Sequence, residues 1–370
     1  MNQMNQRNQM NRDMAWRFDQ FLYQKEKSFW IKALLFPFYL LSLPYGWAVR
    51  LRSFAYTVGL LKSKRLSCPV VSIGNITLGG TGKTPLVMAL AKTLVKEGVR
   101  VAILSRGYKR RKASGSVVSD GQTILLTPEE SGDEPYLMAR GLKGIPILVG
   151  KDRFVTGQMA LQRFGVQGLL LDDGYQHLRL HRDLDILLID SRIGFGDRHL
   201  LPRGMLREPV SNIRRAHFFL LTKVEDPAAC KPLEAKLREI HPGAEIYRSY
   251  YEPAGLIGPQ GEWEEIHALK GKRVFALSGV ANPGYFMSLL RKCGPEILGE
   301  EVFPDHHSYT AEDLTSIGKR VKNFNYLVTT EKDMVKLLGF KGGRVPIRAL
   351  RIEMKIWEEA EFYKRILKLW

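Results

Sequence analysis

Cysteine is scarce in this chain, and its few cysteines stand far apart. Only Cys68, Cys230 and Cys293 occur among 370 residues, and no two of them form a C-x-x-C pair. A disulfide framework or a cysteine-based zinc site needs closely grouped cysteines, so neither is indicated. This usage fits a protein of a reducing compartment.

Long hydrophobic runs are missing too. The most apolar region, residues 29–51, contains Pro37 and Pro44, and its apolar run extends only from Ala33 to Leu41. A membrane-spanning helix needs about 20 apolar residues. No small-residue cleavage site follows of the kind that ends a secretory signal. Neither a spanning helix nor a signal peptide is therefore predicted.

Acidic residues are outnumbered. The chain has 38 Asp and Glu against 56 Lys and Arg, a net charge of +18. Residues 1–70 alone carry eleven basic and three acidic residues. Such an excess predicts a polyanionic partner, which is nucleic acid, an anionic membrane surface or a phosphorylated substrate.

The positions of the aromatic residues favour the membrane surface. The basic N-terminal region contains Trp30, Phe36, Phe38, Tyr39 and Trp47. Aromatic rings at headgroup depth, with Lys and Arg against anionic lipid, are typical of an interfacial anchor. A nucleic-acid surface would instead interleave aromatic and basic residues, so no nucleic-acid partner is predicted.

We therefore predict a membrane-interface helical segment over residues 15–67. A buried helical hairpin with basic ends is the alternative. Residues 1–14 are polar and repetitive, and they are predicted to be disordered.

After residue 68, apolar runs alternate with helical patterns. Strands are predicted at 69–74, 99–105, 145–150, 168–173, 184–190 and 217–224, with helices at 84–97, 133–141 and 151–164. Continuous apolar strands separated by helices indicate a parallel sheet covered on both faces. Residues 68–225 are predicted to form a three-layer α/β domain of the P-loop NTPase type with a mainly parallel sheet. Residues 226–370 are predicted to form a second, smaller α/β domain that contributes to the active-site cleft.

The stretch "GNITLGGTGKTP", residues 74–85, lies between the first predicted strand and the first helix. It ends as a phosphate-binding loop does, although Thr77 stands where the pattern has glycine. The predicted nucleotide-binding residues are Thr77, Leu78, Gly79, Gly80, Thr81, Gly82, Lys83 and Thr84. Lys83 is predicted to contact only the phosphates of ATP, and the Thr84 hydroxyl to reach Mg²⁺. Pro85 suits the first position of the helix.

Two adjacent carboxylates, Asp172 and Asp173, end the predicted strand at 168–173. Ligands of open α/β sheets bind at the carboxyl ends of the strands. Either carboxylate is suited to hold Mg²⁺ together with Thr84, and the sequence does not say which lies nearer the metal.

Seven motifs in order resemble the tetraacyldisaccharide 4′-kinase family, the lipid A 4′-kinases of Gram-negative bacteria. They are "GNITLGGTGKTP", "SRGY" (105–108), "GDEP" (132–135), "DDGYQHLRL" (172–180), "LPRGMLREP" (201–209), "FPDHH" (303–307) and "TTEKDMVKL" (329–337). The resemblance implies a lipid kinase that transfers the γ-phosphate of ATP to the 4′-hydroxyl of a tetraacyldisaccharide 1-phosphate, giving lipid IVA. It also implies peripheral attachment to the cytoplasmic face of the bacterial inner membrane.

The resemblance also assigns roles to residues. It makes Asp133 the base that takes the proton of the acceptor hydroxyl. His306, rather than the adjacent His307, would pair with Asp133, which requires the two domains to close. Without the resemblance, the sequence favours Asp133 as a helix N-cap and "PDHH" as an ordinary turn over the catalytic roles.

Several further residues are candidates for contact with the acceptor. Arg106 and Tyr108 follow a predicted strand, and an arginine near the transferred phosphoryl group offsets developing charge. The candidates are Arg106, Tyr108, Arg153, His177, Arg207 and Glu208.

"LTKVED", residues 221–226, resembles the guanine-reading motif of GTPases, but Glu225 stands where aspartate is needed. It is interpreted as a strand end and a loop. A P-loop GTPase or metallochaperone-type nucleotide switch is the alternative function, and a nucleic-acid-dependent ATPase is a third.

Overall fold

The computed structural model describes residues 29–107, 115–320, 323–338 and 346–370. Its contacts divide the chain into two compact units. The larger unit comprises the described residues of Leu22–Tyr250 together with Met354–Trp370, and the smaller comprises those of Tyr251–Glu353.

The elements alternate between strand and helix along most of the chain. The helices are α1 Phe29–Leu34, α2 Phe36–Thr57, α3 Lys83–Lys96, α4 Pro128–Ser131, α5 Asp133–Gly141, α6 Arg153–Phe164, α7 Lys231–Ile240, α8 Pro283–Lys292, α9 Ala311–Arg320, α10 Glu331–Leu337 and α11 Glu359–Leu367. The strands are β1 Val70–Gly74, β2 Val101–Ser105, β3 Ser116–Ser119, β4 Ile147–Val149, β5 Gly168–Asp172, β6 Leu184–Asp190, β7 Phe218–Thr222, β8 Glu245–Ile257, β9 Trp263–Glu265, β10 Arg273–Ser278, β11 Glu296–Val302, β12 Tyr326–Thr330 and β13 Ile347–Ile356. The expected α/β class is confirmed.

In the larger unit the strand order is β8-β7-β6-β1-β5-β2-β4-β3, and only β3 runs antiparallel to its neighbour. Every residue of β1, β2 and β5 is buried, so both faces of the sheet are covered. Helix α6 contributes Ala160 to the core on one face. Since β1 lies between β5 and β6, the loop after β1 starts at the middle of the sheet edge.

The division between the units differs from the predicted boundary at residues 225 and 226. Strand β8 pairs in parallel with β7 from Glu245 to Arg248, which keeps this segment in the larger unit. Helix α11 also belongs to the larger unit, where Phe362 packs against Phe218 and Tyr247. The C-terminal residues therefore do not all belong to the second unit.

The smaller unit has its own parallel strands, in the order β11-β10-β12-β13. Strand β9 pairs antiparallel with the end of β8. Phe275, Leu277 and Leu327 form its core together with Phe303 and Ile317. The prediction of a second, smaller α/β unit thus has a structural counterpart, with different limits.

Among the described residues, which start at 29, the two consecutive helices α1 and α2 precede β1. Only Ser42 and Gly46 of α2 are buried, whereas Trp47 and Leu51 are 72% and 68% exposed. The alternative of a buried hairpin is therefore wrong. In the part of the chain that the structure describes, no helix is both long and apolar enough to cross a membrane. Residues 1–14 lie outside the described residues, as do 15–28 of the predicted membrane segment.

Candidate active site

The loop after β1, residues 75–82, is called the phosphate loop below. Gly79 and Gly82 have φ values of 102° and 93°, in the region that favours glycine. Gly80 has neither such a φ nor any atom within 4 Å of where a Cβ would lie. Its missing side chain therefore leaves open space beside the loop, which suits a close ligand.

A second segment lies along the phosphate loop. The Leu78 N–H donates to the Met205 carbonyl (2.8 Å), and the Arg207 N–H donates to the Ile76 carbonyl (2.7 Å). Thr77 and Leu206 form an antiparallel bridge. Thr77 is buried in this bridge, so the residue that departs from the glycine pattern is part of the loop's support.

Helix α3 begins at Lys83, one residue earlier than predicted. Pro85 therefore lies within the first turn rather than at its first position. Its missing N–H is still harmless, because the first four N–H groups of a helix have no partner within the helix. Lys83 and Thr84 are thus held at the positive end of α3.

The Lys83 side chain is held by the protein, contrary to the expectation that it contacts only phosphate. Its Nζ donates to Asn75 Oδ1 (3.2 Å) and lies 3.5 Å from Asp173 Oδ1. Asn75 is fully buried and donates from Nδ2 to the Thr77 carbonyl. Asn75 therefore holds both the Lys83 side chain and the backbone of the phosphate loop.

Asp173 forms the second fixed charge of the site. Arg207 donates to both of its carboxylate oxygens, at 2.8 and 3.1 Å. Burial alone would raise the pKa of this carboxyl group, but Lys83 and Arg207 outweigh burial and hold the pKa well below its usual range. Asp173 is therefore ionised, and its backbone has a left-handed φ of 52°.

Asp172 has the opposite electrostatic character. It is 1% exposed, and burial, with smaller contributions from Glu134 and Asp173, raises its pKa to about 7. Ser105 donates to Oδ2 (3.1 Å), while the buried Oδ1 has no hydrogen-bond partner among the described residues. Burying a carboxylate oxygen without a hydrogen bond is costly, so Asp172 Oδ1 is suited to coordinate a cation.

Among the acceptor candidates, His177 and Arg153 are close to the turn that follows β5. Burial lowers the pKa of His177 to about 4, and Arg153 adds to the effect, so the imidazole is neutral at pH 7. Arg153 is 3% exposed and donates to the Gly150 carbonyl. Arg106 is exposed after β2. Tyr108 lies outside the described residues.

The two candidates from "LPRGMLREP" have clear partners. Arg207 binds Asp173, as described above. Glu208 is 3% exposed and accepts hydrogen bonds from Asn212 (2.7 Å) and Arg215 (2.8 Å). These contacts support the segment beside the phosphate loop, and contact of either residue with an acceptor stays a prediction.

Asp133 is the first residue of α5, in the larger unit. Gly132, not Asp133, is the N-cap of this helix. The interpretation of Asp133 as the capping residue is therefore wrong, and its role as base stays a prediction.

The structure distinguishes the two histidines of the smaller unit. His307 Nε2 lies 3.0 Å from Asp313 Oδ2, and its ring stacks on Phe303 with centroids 4.5 Å apart. His306 instead has a left-handed φ of 61°, and its Nε2 lies 3.3 Å from Lys332 Nζ. His307 thus packs in its own unit. The preference for His306 stays a prediction.

Three residues that support the site are absent from the sequence-based assignment. Asn75 binds Lys83, Ser105 binds Asp172, and Lys223 donates to the Gly80 carbonyl (2.8 Å). Asn75 and Ser105 lie inside the quoted motifs "GNITLGGTGKTP" and "SRGY", which was the available signal. Lys223 lies in "LTKVED", which was interpreted only as a strand end and a loop.

A buried central strand, a glycine-containing loop, a Lys-Thr pair at a helix start and carboxylates after the neighbouring strand define a nucleotide-binding protein of the P-loop class. A family model described as Tetraacyldisaccharide-1-P 4′-kinase matches residues 31–370. The chain belongs to this family.

Relatives and a solved structure agree with the family match. A tetraacyldisaccharide 4′-kinase of Syntrophus aciditrophicus (strain SB) is 41% identical over 352 residues, covering 90% of this chain and 93% of the relative. One from Geobacter sulfurreducens is 40% identical over 313 residues, covering 84% and 86%. A crystal structure of LpxK from Aquifex aeolicus in complex with ATP is 34% identical, has a TM-score of 0.73, and covers 92% of this chain and 99% of that one.

Proposed function

We propose that this chain transfers the γ-phosphoryl group of ATP to the 4′-hydroxyl of a tetraacyldisaccharide 1-phosphate, giving lipid IVA for lipid A biosynthesis. The observation that carries the proposal is the meeting of Lys83 with the Asp172–Asp173 turn at the start of α3, in a chain that matches the family from residue 31 to 370. The family match also decides against the nucleotide switch and the nucleic-acid-dependent ATPase.

The phosphates of ATP lie in this proposal against residues 77–84. The N–H groups at the start of α3 have no partner within the helix, and together with the open space at Gly80 they suit phosphate oxygens. Lys83 neutralises the outer phosphates. Asp173 is shared between Arg207 and Lys83, so its carboxylate only partly neutralises the positive charge of Lys83.

Thr84 and Asp172 are the residues that would hold Mg²⁺. The donor set fits, because Mg²⁺ prefers oxygen ligands and Asp172 Oδ1 is a buried oxygen without a partner among the described residues. When bound, the cation would neutralise charge on the β- and γ-phosphates. Asp172, which burial otherwise favours in its neutral form, would then be ionised.

The proton of the 4′-hydroxyl is taken in this proposal by Asp133, which His306 assists. Support comes from the family motifs and from the distinction between His306 and the packed His307. Asp133 belongs to the larger unit and His306 to the smaller one, so turnover would require both. Arg106, Arg153 and His177 are proposed to contact the acceptor.

The acceptor is an acylated lipid, and α1 and α2 are proposed to bind the membrane that contains it. A set of large apolar side chains on these helices is exposed: Leu34, Phe36, Phe38, Tyr39, Leu40, Leu41, Leu43, Trp47, Leu51 and Phe54. Arg50 and Arg52 lie on the same helix, and Lys62, Lys64 and Arg65 follow it. Exposed apolar area with flanking basic residues suits peripheral binding to anionic lipid, here at the cytoplasmic face of the inner membrane.

The proposal is tested with γ-labelled ATP and a tetraacyldisaccharide 1-phosphate in detergent. We expect a bis-phosphorylated lipid that carries the label, with ATP preferred over GTP. In Asp133→Ala, we expect kcat to fall far more than the KM for ATP rises, because Asp133 is assigned to the acceptor proton. A folded protein that hydrolyses ATP without labelling the lipid would contradict the proposal.

A further inference from the structure

A buried lysine at the end of β7 reaches the backbone of the phosphate loop. Lys223 is 5% exposed, and its Nζ donates to the Gly80 carbonyl (2.8 Å) and to Asp190 Oδ2 (2.5 Å). Lys223 also has a left-handed φ of 59°, which is unusual for lysine and persists where the surroundings impose it.

We propose that Lys223, held by Asp190, is a positioning residue that fixes the phosphate loop in the conformation that binds ATP. The inference rests on the loop being the ATP site proposed above. It assigns a role to "LTKVED" that does not depend on reading a nucleotide base.

The geometry of one peptide group carries the argument. The carbonyl and N–H of a trans peptide point in opposite directions, so fixing one fixes the other. The peptide between Gly80 and Thr81 is held at its carbonyl by Lys223 and at its N–H by the Gly79 carbonyl (3.1 Å). Lys223 therefore restrains a turn whose glycines would otherwise sample many conformations.

Asp190 keeps the lysine in place. It ends β6, next to β1 in the sheet, and is 3% exposed. Burial lowers the pKa of Lys223, and the Asp190 carboxylate opposes that effect. A buried ammonium group needs such a partner. Without the carboxylate, a neutral amine would still donate to the Gly80 carbonyl, whereas without the amine the loop loses its restraint.

This difference gives a test that does not involve the lipid acceptor. The dissociation constant for ATP is measured by calorimetry for the wild type, Lys223→Met and Asp190→Asn. We expect ATP to bind Lys223→Met about 10- to 100-fold more weakly than it binds the wild type, which is the cost of losing a charged hydrogen bond. We expect the loss of affinity in Asp190→Asn to be clearly smaller. In turnover, we expect Lys223→Met to raise the KM for ATP more than it lowers kcat.

Arg182→Met is the matched control, because Arg182 and Asp185 form an ion pair of similar burial in the same unit that does not touch the phosphate loop. We expect it to lose stability but to bind ATP as the wild type does. The proposal is overturned if folded Lys223→Met binds ATP within twofold of the wild type, or no worse than Asp190→Asn or the control. If Lys223→Met does not fold, Lys223→Ala is judged by the same thresholds. The calorimetric measurement does not involve lipid phosphorylation, so failure of the proposed acceptor would leave the ATP-binding result intact.

Discussion

The phosphate loop and helix α2 belong to the same unit but differ in character: the loop is surrounded by paired charges, whereas α2 exposes apolar side chains. At the loop, the cationic groups of Arg207 and Lys83 lie 2.8 and 3.5 Å from the Asp173 carboxylate. On α2, Trp47 and Leu51 are mostly exposed. Fixed charges are suited to act on a small ionic ligand, whereas exposed apolar area is suited to a partner outside the protein.

Arg207 connects these two surfaces. Its guanidinium group holds Asp173, while its carbonyl accepts a hydrogen bond from Tyr45 Oη of α2 (2.7 Å). Arg52 of α2 donates to the Gln176 carbonyl, and Gln176 Nε2 donates to the Asn75 carbonyl beneath Lys83. The helix proposed above to bind lipid is thus attached to the residues that support the nucleotide site. If the two surfaces have separate roles, variants at the phosphate loop should impair catalysis, and variants on α2 should impair membrane binding.

The largest expected effect comes from Lys83→Ala. Loss of the phosphate-neutralising charge should lower kcat about 10³-fold or more. Stability should change by only about 1 kcal/mol, because Arg207 still binds Asp173. Steady-state kinetics and urea denaturation check both parts.

Lys96→Ala is the control for this variant, since Lys96 is exposed at the other end of α3. It should leave both quantities unchanged. If Lys83→Ala retained more than a tenth of the wild-type kcat, the loop would not be the phosphate site.

Asp172→Asn tests the buried carboxylate through the pH dependence of stability. The folded pKa of about 7 lies above the ordinary value near 4, so the wild type should lose stability as pH rises from about 4 through 7. Asp172→Asn lacks this titration. Without divalent cations it should be more stable than the wild type above pH 7, by up to about 4 kcal/mol, and similar to it near pH 4.

Urea denaturation at the two pH values measures this gap. Mg²⁺ should narrow the gap by stabilising the wild type alone. Equal stability of both proteins above pH 7 would show that the Asp172 environment does not penalise the charge.

The two histidines of "FPDHH" should separate chemistry from packing. His306→Ala should lower kcat about 100-fold with little loss of stability, because it is assigned to assist the base. His307→Ala should instead destabilise the protein, because it breaks the contact with Asp313 and the stacking on Phe303. Both variants are compared by steady-state kinetics and thermal denaturation. A loss of stability in His306→Ala and a loss of kcat alone in His307→Ala would contradict the assignment.

The smallest expected effect is on membrane binding. The double variant Trp47→Ser, Leu51→Ser should weaken partitioning to anionic vesicles about tenfold, because it removes two of the exposed apolar side chains. Its kcat on detergent-dispersed acceptor should stay near the wild-type value.

Trp263→Ser provides the control, because Trp263 is 49% exposed but lies in the smaller unit. It should sediment with vesicles as the wild type does. If the double variant also sedimented unchanged, α2 would not be the membrane-binding surface.

Much of the larger unit could be predicted because its signals are local. Strands β1 and β5 are recognisable as apolar runs. The phosphate loop follows β1 directly, and Asp172 and Asp173 lie at the end of β5. Strand β8 was not predicted, because "EIYRSYYEPAGLI" mixes charged and polar residues with a proline. Because β8 pairs with β7, the larger unit extends past the predicted boundary at residues 225 and 226.

The support of the site was harder to predict, because it comes from contacts distant in sequence. Lys223 and Gly80 are 143 residues apart, and Arg207 and Asn75 are 132 apart. The opposite pKa shifts of Asp172 and Asp173 depend on burial and on Arg207, which the adjacent positions in the sequence do not reveal.

The position of the transferred phosphate on an acceptor held in a membrane tests the account most directly. The wild type is incubated with γ-labelled ATP and a tetraacyldisaccharide 1-phosphate in anionic vesicles, and the product is analysed by mass spectrometry and phosphorus NMR. The account predicts a bis-phosphorylated lipid with the label at the 4′ position, and none from Lys83→Ala. Label found only as inorganic phosphate, or on another hydroxyl, would contradict it.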